Sequence, residues 1–237
     1  MCWASGSARR PGSSPGCRAT RSAVVVVLRD GALEPTTILA TVAAATRHLG
    51  LIGTLSTTFN DPVELAERLL TLDHLSDGRA SWNAVTTYNP AAAGNFGLTT
   101  TPDRATRYRR AGEFVDAVLG LWRAAVAGRD FTHRGEFFDI AGRLPLAASP
   151  QGHPLIVQAG GSPQGRELAG RTANAVFTAE MTLGFNLMPD AFPQGLEIFV
   201  DEVVPILRRR GLFRYEYTER TLRERFGIGP VATHAAA

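Results

Sequence analysis

From residue 34 onward the apolar positions switch between two rhythms. Ile38, Leu39, Val42 and Ala45 recur at three- and four-residue steps. That predicts a helix from Pro35 to about residue 48, with proline in the first turn, where its missing N–H costs nothing. Residues 49–58 are then continuously apolar and β-branched, as in a strand buried on both faces. Asp61 and Pro62 open a second helix as cap and first residue. Leu65, Leu69, Leu72 and Leu75 form its inward stripe, and Gly78 ends it in a left-handed cap. Residues 79–87 read as a strand and 88–102 as a loop rich in Asn, Pro, Gly and Thr. A long helix over 103–126 carries Ala111, Phe114, Val115, Val118, Leu121 and Trp122 at helical spacing. A hairpin around Gly135 (131–140), a strand (155–159), a helix (163–172) and a strand (175–179) follow.

Strand alternates with helix through this stretch, which argues for parallel strands joined by crossover helices. After Met181 the rhythm breaks. It resumes as an amphipathic helix with Leu196, Phe199, Val200, Val203, Val204 and Leu207 on one face. Residues 1–22, rich in Gly, Ser, Pro and Arg, have no period and read as disordered. The apolar run at 23–28 is too short for a signal-peptide core and is followed by Arg29-Asp30. The expected organisation is therefore a disordered or unrelated segment at 1–32, an α/β domain at 33–230 and a tail at 231–237.

Composition narrows the function classes. No run of eighteen apolar residues exists, so no membrane span is expected. The net charge of +3 comes with arginine as the only long-chain base. Its clusters, Arg107, Arg109, Arg110 and Arg208, Arg209, Arg210, sit in helical patterns beside acidic residues. They read as solvated helix faces rather than a nucleic-acid footprint. Cys2 and Cys17 have no metal-type spacing and no partners in the body of the chain, which fits a reducing cytoplasm. His48, His74, His133, His153 and His234 form no ligand motif, so no metal is expected.

Four segments could carry chemistry. In LIVQAGGSPQGRELAG (155–170) a strand ends in Gly160 and Gly161, and Ser162 and Pro163 open a helix. Glycines admit a close phosphate, and the free N–H groups at the helix start favour an anion. A plain strand-to-helix turn fits as well. In GRASWNAVTT (78–87), Asn83 could place an amide, donor and acceptor at once, at the edge of a flavin-like ring. Alternatively Trp82 is core and Asn83 satisfies backbone groups. Thr54 lies near the end of its strand, where parallel α/β folds collect ligands. Tyr108, near a helix start, could reach a phosphate or ring. No Ser-His-Asp order, P-loop or paired carboxylate stands out, so catalytic residues are unassigned and the chemistry falls to a cofactor.

These segments together, with NFG at 95–97, RYRRAGEFVDAVLGLW and FNLMPDAFPQGLEIFVDEVVPILRRRGLFRYEY, resemble the luciferase-like flavin-dependent monooxygenases. The likeness is to the nitrilotriacetate and dibenzothiophene sulfone monooxygenase branch, over roughly residues 33–230. The resemblance implies an α/β (β/α)8 TIM barrel and reduced FMN supplied by a separate NAD(P)H-dependent flavin reductase. It implies use of oxygen to oxygenate a small organic substrate. By motif match Thr54, Asn83, Arg104, Tyr108, Gly161 and Ser162 are the cofactor-binding positions. Arg104 stands where the pattern has histidine, and it cannot act as a neutral imidazole.

About four barrel strands are countable where closure needs eight, so the expected fold is a partial barrel with missing strands. Open edges would favour a homo-oligomer. Beside a working monooxygenase stand two other readings: a non-catalytic remnant or partial subunit, and a deazaflavin-dependent oxidoreductase of the same superfamily.

Overall fold

The computed structural model describes residues 24–27, 33–159, 162–177, 201, 204–209 and 215–231. Its frame is a parallel sheet of five strands. These are β1 (Val24–Val27), β2 (Gly50–Ser56), β3 (Ala80–Val85), β6 (Leu155–Ala159) and β7 (Ala175–Phe177), in spatial order β1-β2-β3-β6-β7. The order never reverses. A doubly wound sheet would switch direction partway; a monotonic run of parallel strands is the layout of a (β/α)8 barrel. The architecture is thus α/β and a partial barrel, and the five strands do not close on themselves among the described residues. The pair β4 (Phe131–Arg134) and β5 (Asp139–Gly142) is the hairpin expected around Gly135, an antiparallel excursion outside the main sheet.

Val24–Val27 is the strand that the hydrophobic pattern did not identify. It lies in the segment set apart as 1–32, yet pairs in parallel with β2, from Val24 opposite Gly50 to Val27 opposite Gly53. Four apolar residues without flanking periodicity give too little signal; the neighbouring strand supplies what local sequence does not.

The crossovers are helices whose starts are written in the sequence. α1 (Pro35–Ala45) is capped by Glu34, α2 (Pro62–Leu75) by Asp61, and α4 (Arg104–Ala127) by Asp103. α5 (Pro163–Thr172) is capped by Ser162, whose hydroxyl accepts from the Gly165 N–H. A one-turn helix α3 (Pro90–Gly94) interrupts the predicted loop after β3. Later come α6 (Val204–Arg209), within the predicted amphipathic helix, and α7 (Leu222–Arg225). The expected disorder of 1–22, the break after Met181 and the start of that amphipathic helix lie outside the described residues.

The core forms where α2 and α4 cover one side of the sheet. Leu55, Trp82, Ala84 and Ile156 meet Leu65, Leu69, Phe114, Val118 and Trp122 there. A smaller cluster joins Leu51 and Ala80 to Leu39, Val42 and Leu72. Trp82 is fully buried, its indole N–H donating to the Leu55 carbonyl at 3.0 Å, with Trp122 edge-on. By strand alternation Thr54, Ser56, Ser81 and Asn83 point to the opposite face. On a barrel that is the inside.

The amino-terminal ends of the strands are tied by polar groups. Asp73 of α2 is fully buried. Its carboxylate accepts from the Ala80 N–H (2.9 Å), the Ser149 hydroxyl (2.5 Å) and the Gln151 amide (2.7 Å). Arg79 donates to the carbonyls of Ala43, Thr46, Leu49 and Ser76. The last described segment closes this end. The Arg223 N–H donates to Gln151 Oε1, Leu222 N–H to the Gly78 carbonyl, and Arg225 to the His48 carbonyl. Gly78 has φ +76°, and a Cβ there would lie 3.0 Å from Thr221 Cγ2 and 3.3 Å from the Gln151 nitrogen. Glycine is therefore required twice over, by conformation and by space.

Candidate functional site

At the opposite, carboxyl ends of the strands the polar residues behave differently. Thr54 and Asn83 stand opposite one another in the β2–β3 register. The Asn83 amide nitrogen donates to Thr54 Oγ1 at 3.0 Å. Asn83 is 3% exposed, and its Oδ1, buried away from water, accepts nothing. A buried acceptor left without a donor costs roughly 1–3 kcal/mol. Of the two readings open for this segment, Trp82 is core, while Asn83 does not satisfy the backbone. It bonds a hydroxyl and leaves an acceptor free.

The hydroxyls continue around it. Thr87 Oγ1 donates to Ser56 Oγ or accepts from it at 2.6 Å, Ser56 Oγ accepts from the Thr58 N–H at 3.0 Å, and Thr57 donates to the Val85 carbonyl at 3.1 Å. Ser56, Thr57, Thr58 and Thr87 thus brace the ends of β2 and β3 against each other.

A second pair forms where two helices begin. The Tyr108 hydroxyl, one turn into α4, lies 3.0 Å from Ser162 Oγ, the cap of α5. The two residues are 54 apart in sequence. α4 runs back across the sheet, so its first turn reaches the carboxyl ends of the strands, where α5 also starts. Arg104, one turn before Tyr108, is exposed, with its guanidinium carbon 6.0 Å from the tyrosine ring centroid. Arg107 on the same turn donates to the Pro102 carbonyl and keeps its Nε buried without an acceptor. Two hydroxyls and the N-terminus of a ten-residue helix therefore converge at one place, with the Arg104 guanidinium beside the tyrosine ring. Positive charge and free donors suit an anion there.

Thr54, Asn83 and Ser162 all lie toward the same, carboxyl side of the sheet. The structure brings five of the six sequence-derived positions together as two pairs, Thr54–Asn83 and Tyr108–Ser162, with Arg104 beside the second. Gly161, like Gly160, lies outside the described residues. Sequence reasoning passed over Gln158, near the end of β6. It is 4% exposed, its Oε1 has no partner, and its amide reaches only the Ala84 carbonyl at 3.5 Å. The signal was present, since Gln158 is the one polar residue in an otherwise apolar strand, but nothing local says that it lacks a partner.

A family profile described as luciferase-like monooxygenase matches residues 19–187. The chain is 45% identical over 168 residues to nitrilotriacetate monooxygenase component A of Aminobacter aminovorans, an overlap covering 64% of this chain and 37% of that protein. It is 38% identical over 234 residues to dibenzothiophene-sulfone monooxygenase of Rhodococcus erythropolis, covering 86% and 51%. The chain thus spans about half or less of the length of these relatives. Among solved structures, EDTA monooxygenase from Chelativorans sp. BNC1 superposes with a TM-score of 0.69 at 25% identity, over 83% of each chain.

Proposed function

Because the chain belongs to the luciferase-like monooxygenase family, we propose that its strand-end site binds reduced FMN and serves the oxygenation of a small organic substrate. The observation that carries this reading is the buried, unpartnered Oδ1 of Asn83 on the polar face of the sheet. A flavin ring presents N–H donors at its edge, and an orphaned acceptor is what such a donor needs. The Tyr108–Ser162 pair, with Arg104 and the start of α5, fits the terminal phosphate. The residues present therefore fit the cofactor. Thr54 orients the Asn83 amide, Asn83 meets the ring edge, and Ser162, Tyr108 and Arg104 hold the phosphate. The flavin, when bound, supplies the electrons that activate oxygen; the protein binds it, orients it and keeps water away.

Several further parts of the reading follow from the relatives. One of them is called component A, which supports a separate NAD(P)H-dependent reductase as the source of reduced flavin. No helix of the described residues is long and apolar enough to cross a membrane, and we place the protein in the cytoplasm.

The test is a titration of the purified chain with FMN, followed by flavin fluorescence. Ser162→Ala loses a helix cap, worth about 0.5–2 kcal/mol of stability, and should weaken FMN by roughly tenfold in addition, the scale of one charge-assisted hydrogen bond. Equal FMN affinity in both proteins rejects the phosphate role.

A second reading, a partial subunit whose barrel is completed by another chain, is favoured by one observation. The described sheet has five strands, whereas a closed barrel of this kind has eight. In that case the purified chain shows oxygen uptake only as a self-associated species on size exclusion, or shows none until another subunit is supplied.

A further inference from the structure

Beyond the Thr54–Asn83 pair, both strands run on into loops that carry large apolar groups. Phe59 follows Thr54 by five positions, and Tyr88 follows Asn83 by five. Phe59 stacks on Phe96, ring centroids 4.5 Å apart and planes within 5°. Phe96 is 46% exposed, Leu98 45% and Tyr88 76%. An isolated exposed apolar residue means little, but three of them, with the half-buried Phe59 stacked on one, on two neighbouring loops at the functional end of a sheet form a surface.

That surface is held in place. The Asn60 amide donates to the Ser56 carbonyl at 2.8 Å, and the Thr87 N–H donates to Thr58 Oγ1 at 3.2 Å. The turn carrying Phe96 and Leu98 is tied to the fully buried Ala93 through N–H bonds to its carbonyl at 3.0 and 3.1 Å. The loops present a preformed apolar lip, so little ordering is needed when something binds.

The lip is also uncharged. Residues 49–60 and 80–102 contain no Asp, Glu, Arg or His. The arginines that reach this region from the helix side are each turned to a protein group: Arg68 donates to Asn60 Oδ1 at 3.2 Å, Arg110 to the Asn60 carbonyl at 3.3 Å, and Arg107 to the Pro102 carbonyl. Arg110 also lies 4.4 Å above the Phe138 ring. A polycarboxylate entering over Phe59 and Phe96 would lose hydration and meet no cation in either loop. A flat apolar ring would add to an existing stack.

We infer that Phe59, Tyr88, Phe96 and Leu98 form the mouth through which substrate reaches the strand-end site, and that this mouth selects an uncharged aromatic molecule over a carboxylated one. The inference rests on the flavin reading of the same site but is tested separately from it. The full chain is titrated by calorimetry with 2-naphthol and with nitrilotriacetate, and FMN affinity is measured in parallel. 2-Naphthol should bind at least about tenfold more tightly than nitrilotriacetate. Phe96→Ala should weaken 2-naphthol by about tenfold, the scale of one aromatic contact, with FMN affinity unchanged. Leu98→Asp, at an exposed position that the fold does not need, should do the same by placing a charge in the mouth. The inference is overturned if nitrilotriacetate binds as tightly, if 2-naphthol does not bind, or if both variants bind it like the parent chain. Binding of 2-naphthol without binding of FMN supports the mouth and rejects the flavin reading.

Discussion

At the amino-terminal end of the sheet, the Asp73 carboxylate has three donors, and Arg79 reaches four backbone carbonyls. At the carboxyl end of the same strands, Asn83 and Gln158 are buried as deeply, and each keeps an acceptor with no donor. Burial does not separate the two regions; completeness does. A buried polar network in which every group is satisfied rigidifies a fold, and one left open costs stability unless a ligand completes it. The comparison teaches that the lower end is built for stability and the upper end retains unfilled valences. That division matches the one that barrels of this kind make between their two faces.

The comparison breaks first at Asp73. Asp73→Ala leaves the Ala80 N–H and the Ser149 hydroxyl unpaired in the interior and takes one of two bonds from the Gln151 amide, which keeps the Ala80 carbonyl. The expected loss is at least about 2 kcal/mol, at 1–3 kcal/mol per orphaned group. Urea denaturation measures it, and FMN affinity of the folded fraction should hold. A loss under 1 kcal/mol would show that this end is not what secures the sheet.

Titration sharpens the same point. Burial pushes the Asp73 carboxyl from 3.8 up to about 6, against the pull of its Ser149, Ala80 and Gln151 bonds. Burial also holds the His153 imidazole down from 6.5 to about 4, aided by Arg223 and Arg123 and opposed by its bond to the Pro154 carbonyl. The two signs oppose. An acid whose folded pKa is raised gives its full stability below 3.8 and loses it as pH rises to about 6. A base whose folded pKa is lowered gives its full stability above 6.5 and loses it as pH falls to about 4. In the parent chain the two nearly cancel. In Asp73→Asn, stability should climb with pH across this interval; in His153→Gln it should fall. Each slope should total ~3 kcal/mol, at 1.36 kcal/mol per pKa unit. Parallel pH profiles for both variants would refute the opposition.

Gly78→Ala should cost about 1–2 kcal/mol for the left-handed backbone alone, with further loss from the contacts with Thr221 and Gln151, read as a lowered melting temperature. The smallest stability change belongs to the upper end. Asn83→Ala removes an orphaned acceptor together with one hydrogen bond, so stability should shift by less than about 1 kcal/mol, while FMN affinity falls by roughly tenfold. If Asn83→Ala instead unfolded the protein as severely as Asp73→Ala, the two ends would not differ in kind.

What was legible in the sequence follows from how far each determinant reaches. Asp61, Asp103 and Ser162 were readable as helix starts because a cap bonds the next few residues. The hairpin at Gly135 and the core stripe of α4 were readable for the same local reason. Tyr108 and Ser162 were each marked as candidates, but their contact spans 54 positions and depends on α4 running back over the sheet. Asn83 was placed beside Thr54 only by strand register. The lower network was invisible. Arg79, Gln151, Arg223 and Arg225 look like ordinary surface residues, and their partners lie far away in sequence. Val24–Val27 went unread because its evidence is the neighbouring strand rather than its own four residues.

The bond from Arg225 to the His48 carbonyl joins residues 177 positions apart. Loop-closure entropy grows only logarithmically with length, by about 0.6 kcal/mol per doubling, but contacts of such separation lower the rate of folding. The sheet and its helices can assemble from neighbours in the chain, whereas the lower seal has to wait for residues 215–231 to arrive. In refolding from denaturant, protection of the amides at Leu51 and Ala80 should therefore precede that at Leu222. Until that late docking step, the guanidinium of Arg79 and the carboxylate of Asp73 stay open to water, and a chain held at this stage exposes the underside of its sheet to other unfinished copies.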